Sequence, residues 1–323
     1  MDMARKYFPP DFFHPLLERL ADHGFTAIQL HFSENEGFRL ESLRYPQILS
    51  TRFITRTELG EIIDHASDLG INVIPALDMP GHLAQVLSAF PHLRLADTEE
   101  GRRALDYSLP QARQLMVDLI DEFAPLFPGP SWHLGADEFI DFSRAAHTYP
   151  QLATYARKVA GTDHVADGFT AFINEMIEHL AGHGKTDIRV WNDGFYRSDA
   201  PHSLALHPAA TVCYWTGWDR HMAPVSTFLE RGHRIINATD RFYYVLPGPN
   251  SSYSVHPDPE RITEIFHPGL FSDHAGRAQD YCPPPPELAG IYVCIWCDDP
   301  EAETPEQVLS GIDPLLAAVA ATS

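Results

Sequence analysis

Seven short apolar runs, at 26–32, 72–78, 132–137, 187–193, 211–216, 234–239 and 290–298, recur along the chain with helical patterns between them. This alternation constrains the fold more than any single motif. Parallel strands cannot be joined by a tight turn and need a crossover of a dozen or more residues. The helical stretches supply the crossovers. The segment 11–23 places Phe12, Leu16, Leu17, Leu20 and Ala21 on one stripe and runs into Gly24, a residue suited to ending a helix. Similar patterns lie at 57–69, 109–127, 168–181, 224–230 and 304–320, and residues 2–5 read as the tail of an eighth strand. Eight strands with intervening helices predict an α/β fold, a closed (β/α)8 TIM barrel with a shortened first strand. The 323 residues accommodate it, since such a barrel needs about 250. No Gly-x-Gly-x-x-Gly follows the first full run, which argues against an open dinucleotide-binding sheet. The proline-rich stretches 247–257 and 274–288 are expected to be loops, and with no internal repeat residues 1–323 are expected to form a single (β/α)8 domain.

Charge narrows the partners. Lysine and arginine number 23 against 44 acidic residues, a formal net charge of −21. Such a surface repels phosphate backbones and anionic lipid, so neither nucleic acid nor membrane is expected as a partner. The start, Met1 to Lys6, lacks an apolar leader, which predicts a cytoplasmic location for the sequence as it stands, or a secreted one if the true start lies upstream. Cys294 and Cys297 form a Cys-x-x-Cys, but they sit in an apolar run without a second pair at zinc spacing. They are expected to be core thiols, and no metal or cofactor is expected.

Barrels of this kind carry their chemistry at the C-terminal ends of the strands. Here those ends are polar and aromatic: Glu34 after 26–32, Asp78 and His82 after 72–78, Asp137-Glu138 after 132–137, Trp191 to Asp193, Trp215 to Trp218, Phe242-Tyr243-Tyr244 and Trp296 to Asp298. Of the five tryptophans only Trp132 lies elsewhere. Aromatic faces stack on the apolar faces of pyranose rings, and carboxylates hydrogen-bond sugar hydroxyls, so the set suits a sugar pocket. Adjacent carboxyls repel, and where the backbone turns at a strand end both can reach one pocket, raising the pKa of one so that it serves as a general acid.

The run His133-Leu134-Gly135-Ala136-Asp137-Glu138 resembles the His-x-Gly-Gly/Ala-Asp-Glu signature of glycoside hydrolase family 20, the β-N-acetylhexosaminidases. Asp2-Met3-Ala4-Arg5, Leu30 to Ser33, Ile74 to His82, Trp191 to Gly194 and Trp296 to Asp298 resemble the family's other strand ends. The resemblance implies a retaining exo-β-N-acetylhexosaminidase that removes terminal β-linked GlcNAc or GalNAc from a glycan. The substrate's 2-acetamido group would be the nucleophile and an oxazolinium ion the intermediate. Glu138 would be the acid and base, and Asp137 would orient the acetamide. A tyrosine, Tyr243 first and Tyr244 second, would bond the acetamido oxygen. Trp191, Trp215 and Trp296 would wall the pocket, Arg5 and Asp298 would hold ring hydroxyls, and His82 with Glu34 or Asp78 would tune the acid. Two departures are visible: the family's Pro-Glu is Pro75-Ala76, and its last-strand acid, commonly glutamate, is Asp298.

Other readings stay open. One is a barrel with impaired catalysis that binds amino-sugar glycans, to which the shortened strand and Asp298 both point. Another is an endo-acting hydrolase of β-1,6-linked poly-GlcNAc. A metal-dependent hydrolase, suggested by 18 histidines, lacks the clustered His-x-His it needs.

Overall fold

The computed structural model describes residues 1–249, 251 and 255–322. A parallel sheet runs in the order β1 (Ala27–His31), β2 (Asn72–Met79), β3 (Ser131–Gly135), β4 (Asp187–Trp191), β5 (Ala210–Tyr214), β6 (Arg234–Asn237), and then the later strand Leu288–Ile291. Between β6 and that strand lie β7 (Tyr244–Val245) and a two-stranded antiparallel hairpin, β8 (Leu270–His274) with β9 (Arg277–Asp280). Leu288–Ile291 is therefore β10, and β11 (Ile295–Trp296) pairs with β7.

The ring closes through the first three residues. His31 N–H donates to Met1 O at 3.0 Å, Met3 N–H to His31 O at 3.0 Å, and Asp2 N–H to Ile295 O at 2.9 Å. The stub thus lies between β1 and β11, as the shortened first strand requires. The Asp2 carboxylate is fully buried. It accepts from Ala4 N–H, Arg5 N–H, Arg5 Nη1 and Cys297 N–H, at 3.0–3.1 Å. One side chain therefore turns the chain after the stub, aims Arg5 and ties the two ends of the barrel together.

Outside the strands, helices bury the stripes the sequence prescribes. Pro10–Asp22 turns Phe12, Phe13, Leu16, Leu17 and Leu20 inward. Arg56–Asp68 begins at a reciprocal cap in which Thr55 and Glu58 satisfy each other's backbone donors, and Thr304 with Gln307 repeats the device before Pro305–Ala320. Among the described residues no helix is long and apolar enough to cross a membrane.

Two expectations need correction. The run 290–298 is two strands rather than one: β10 pairs with β6, the chain bends, and β11 pairs with β7. The stretch 274–288 is not all loop, because β9 belongs to it. Ala275 and Gly276, at φ +49° and +74°, form the tight turn that matches strand twist in a hairpin. Of the other expected loop, 247–257, residues 250 and 252–254 lie outside the described residues.

Asp2→Ala is expected to lower unfolding stability by about 3 kcal/mol, since it strips partners from a buried guanidinium contact and a buried N–H. Urea denaturation of the two proteins measures this directly.

Candidate active site

The tops of β2 and β3 are forced together, and the catalytic candidates emerge from that crowding. A Cβ on Gly135 would lie 2.5 Å from Asp78 Oδ1, and Gly135 sits at φ +71°. Ala136 at +74° and Glu138 at +43° follow in left-handed conformations, as does His82 at +54°. Such backbone costs of order 1–3 kcal/mol per non-glycine residue and persists only where its surroundings enforce it. One enforcing contact is Asp193, whose Oδ2 accepts Glu138 N–H at 2.8 Å while its Oδ1 accepts Trp215 Nε1 at 2.9 Å.

The result is a cavity of about 440 Å³ at the C-terminal ends of the strands. Trp191, Trp215, Trp296 and Tyr243 are its aromatic walls, and Asp137, Glu138, His82, Glu34, Arg5 and Asp298 supply polar groups. Trp215 and Tyr243 face each other in parallel, 6.4 Å apart at 11°. Trp296 stands across Tyr243 at 6.1 Å and beside Trp191 at 6.2 Å.

Tyr244 does not join them. Residues 243 and 245 border the cavity, and the two-residue alternation of a strand turns Tyr244 the other way. Its hydroxyl donates to Glu303 Oε2 at 2.8 Å and its ring stacks on His256 at 4.0 Å. The substrate-binding expectation for Tyr244 is therefore corrected.

Charge in the site is organised around Glu34. Arg5 Nη2 approaches it at 3.2 Å, His31 Nε2 at 3.2 Å and His82 Nδ1 at 2.7 Å. Beyond His82, Nε2 faces Glu138 at 3.5 Å and Asp137 at 3.6 Å; beyond His31, Nδ1 faces Asp78 at 3.7 Å. Burial by itself would raise Glu34, but His82, Arg5 and His31 hold its carboxyl well below the usual range. Burial would likewise lower His82, yet Glu34 and Asp137 beside it hold the imidazole well above its ordinary value.

The adjacent carboxyls are pushed apart. Burial drives Asp137 well above the usual carboxylate range; His82 offsets part of that, and Asp78, Asp193 and Glu138 add to it. Glu138 is held low, first by His82, against a smaller rise from burial. Its side chain is half exposed. Asp298 is raised by burial, with Arg5 pulling the other way.

Sequence reasoning left several contributors without a role. Asp193, inside the quoted Trp191 to Gly194 run, fixes the Glu138 backbone. Asp240 borders the cavity and accepts from Ser272 Oγ at 2.7 Å. Trp218 borders it as well, and a strand-end aromatic three residues after Trp215 was signal enough. Nothing in the spacing marks Asp240.

Two groups of side chains come within metal-ligand reach of one another among the described residues. His31, Glu34 and Asp78 form one, beneath the cavity, but the Arg5 guanidinium and His82 already neutralise Glu34 there. The other, Asp121 with His179 and His183, lies on the outer helices, where both imidazoles meet Asp121 Oδ1 at 2.6 and 2.8 Å.

Comparison with known proteins agrees with this architecture. The family model "Glycosyl hydrolase family 20, catalytic domain" matches residues 1–320. The lacto-N-biosidase of Bifidobacterium bifidum is 29% identical over 261 residues, 79% of this chain and 22% of that protein. A beta-hexosaminidase of Porphyromonas gingivalis is 27% identical over 245 residues, 69% of this chain and 30% of that protein. The chain thus spans less than a third of either relative. Among solved structures, Dispersin B superposes with a TM-score of 0.77 at 19% identity, covering 100% of this chain and 97% of that one. The Flavobacterium johnsoniae chitobiase gives 0.76 at 23%, covering 100% of this chain and 47% of that one. At these identities the two structures establish the fold, a TIM barrel.

Glu34→Gln removes the largest charge that raises His82, so the imidazole pKa is expected to fall. NMR titration of the His82 ring in both proteins reads the shift, and an unchanged pKa would show that Glu34 is not its main partner.

Proposed function

The chain belongs to glycosyl hydrolase family 20, and on that premise we propose that it removes terminal β-linked N-acetylhexosamine with the substrate's own acetamido group as nucleophile. The observation that carries the reading is the box around Asp137. An acetamido group has an apolar methyl, an N–H donor and a carbonyl acceptor, and it needs a complement to each. Trp191, Trp215 and Trp296 offer the apolar walls, and Tyr243 brings a hydroxyl to the same cavity. Asp137 Oδ1 is buried with no hydrogen-bond partner among the described residues, an acceptor suited to the amide N–H.

In the first step Glu138 donates a proton to the glycosidic oxygen while the acetamido oxygen attacks the anomeric carbon. The C–O bond to the leaving group breaks and a cyclic oxazolinium forms, held by the Asp137 carboxylate. In the second step Glu138 takes a proton from water as the water oxygen opens the ring, which restores the original anomeric configuration. No enzyme carboxylate bonds to the sugar. Arg5 and Asp298 hold the remaining ring hydroxyls. His82, charged through its contact with Glu34, keeps the Glu138 carboxyl low in the free enzyme. A seated substrate covers this half-exposed group, and loss of water raises its pKa toward that of a working acid.

The retention of Asp137 and Glu138 on one cavity supports hydrolysis over a sugar-binding role without catalysis. Release of p-nitrophenol from p-nitrophenyl β-GlcNAc and β-GalNAc, but not from the β-glucoside, is expected. Glu138→Gln should lose on the order of 10²–10⁴-fold in rate, the usual contribution of a positioned acid. Equal turnover of the glucoside would remove the acetamido group from the mechanism.

The acid works protonated, so kcat/KM declines as pH rises through the Glu138 pKa of the free enzyme. His82 holds that pKa down. In His82→Gln the alkaline limb of the kcat/KM profile is therefore expected to move to higher pH, alongside a lower maximum; a limb that stays put or moves down would exclude His82 as the tuning group.

A further inference from the structure

The cavity that receives the terminal sugar is not isolated. Glu138 and Trp218 border a second cleft, of about 370 Å³, and Glu100, Arg103 and Asp141 carry that cleft into a third, of about 420 Å³. We propose that these form one groove on the leaving-group side, which binds an oligosaccharide of two or more sugar units beyond the scissile bond. The proposal rests on the hexosaminidase reading and names its substrate class: chains trimmed from the end, rather than single sugars on small aglycones.

The position of Glu138 fixes the direction. A general acid protonates the glycosidic oxygen, so the departing sugar must lie against it, and Glu138, with Trp218, borders both of the first two cavities. Trp218 stands at the same junction with 67% of its surface exposed, by far the most exposed tryptophan of the site. An indole left in water at the mouth of a sugar pocket is a stacking platform for a pyranose face. It is also held in place. Ala275 N–H donates to Gly217 O at 2.9 Å, and a Cβ on Gly217 would lie 2.8 Å from Asp273 O, so the β8–β9 hairpin clamps the loop that carries the indole.

Farther along, the polar groups are fixed by one another. Arg197 is pinned to Asp199 at 2.9 Å and to Asp219, Arg144 to Asp141 at 2.6 Å, and Tyr149 donates to Glu100 at 2.5 Å. Arg103 is exposed and makes no ion pair among the described residues, which leaves its fork of N–H donors to hydroxyls. Donors and acceptors side by side near an aromatic face suit a hydroxyl-rich chain, and the surplus of carboxylates over arginines disfavours an anionic one.

The test measures kcat/KM for terminal release from fully N-acetylated β-GlcNAc oligomers of two to five units, in 1→4 and 1→6 series, with p-nitrophenyl β-GlcNAc alongside. In the series that is cleaved, kcat/KM is expected to rise at least tenfold from dimer to tetramer. The tetramer-to-dimer ratio should fall several-fold in Trp218→Ala and in Arg144→Ala, two surface substitutions at opposite ends of the groove. A flat ratio in the wild type, or a ratio that neither variant moves, would overturn the groove while leaving the hydrolase intact. A folded protein inactive on every substrate would instead overturn the hexosaminidase reading, and the groove with it.

Discussion

A buried carboxylate must be compensated, and Glu34 meets that demand with cations from three separate elements. Arg5 comes from the stub strand, His31 from β1 and His82 from beyond β2. Removing any one would leave charge stranded at low dielectric, a loss of several kcal/mol where pairing is complete. The same contacts bring the tops of the first strands into one register around the pocket. The histidine that compensates Glu34 also faces Asp137 and Glu138, so the group that neutralises the floor sets the protonation of the reacting pair. Structure and reactivity share one set of atoms here.

Adjacent identical functions acquire different tasks through their surroundings. Asp137 turns inward among Asp78 and Asp193, where burial and its acidic neighbours disfavour charge more than His82 offsets. Glu138, turned out by its left-handed backbone and held by Asp193 through its N–H, keeps access to solvent and so to exchangeable protons. The left-handed backbone at Gly135, Ala136 and Glu138 brings onto one cavity two carboxyls that a regular strand would send to opposite faces.

Much of this was legible in the chain. The barrel follows from apolar runs spaced by helical stripes, because those periodicities reflect burial, and burial is what the barrel imposes. The strand-end positions of Trp191, Trp215, Trp296 and the Asp137-Glu138 pair follow from where the apolar runs stop. What was not legible depends on half-turns of backbone. The choice between Tyr243 and Tyr244 rests on which face of a two-residue strand meets the barrel, and β7 is too short for alternation to show. The break of 290–298 into two strands has no marker in an uninterrupted apolar run. Asp240 reaches the cavity through a loop held by Ser272, a contact 32 residues away in sequence.

The joint between the stub strand and β11 also bears on how the molecule comes together. Asp2 and Cys297 are 295 positions apart in the chain, so their contact has among the longest loops to close. Such contacts form late, after local helices and neighbouring strand pairs, since the entropy of closing the loop must be met before they contribute. Arg5 meets that carboxylate and Glu34 within the first 34 residues, but Trp296 and Asp298 lie across the seam, so the cavity has all its walls only once the ring has closed. A chain with every helix formed and its seam still open would look folded by its secondary structure yet hold an incomplete pocket, making catalytic competence a reporter of the last event in folding rather than of the bulk of it.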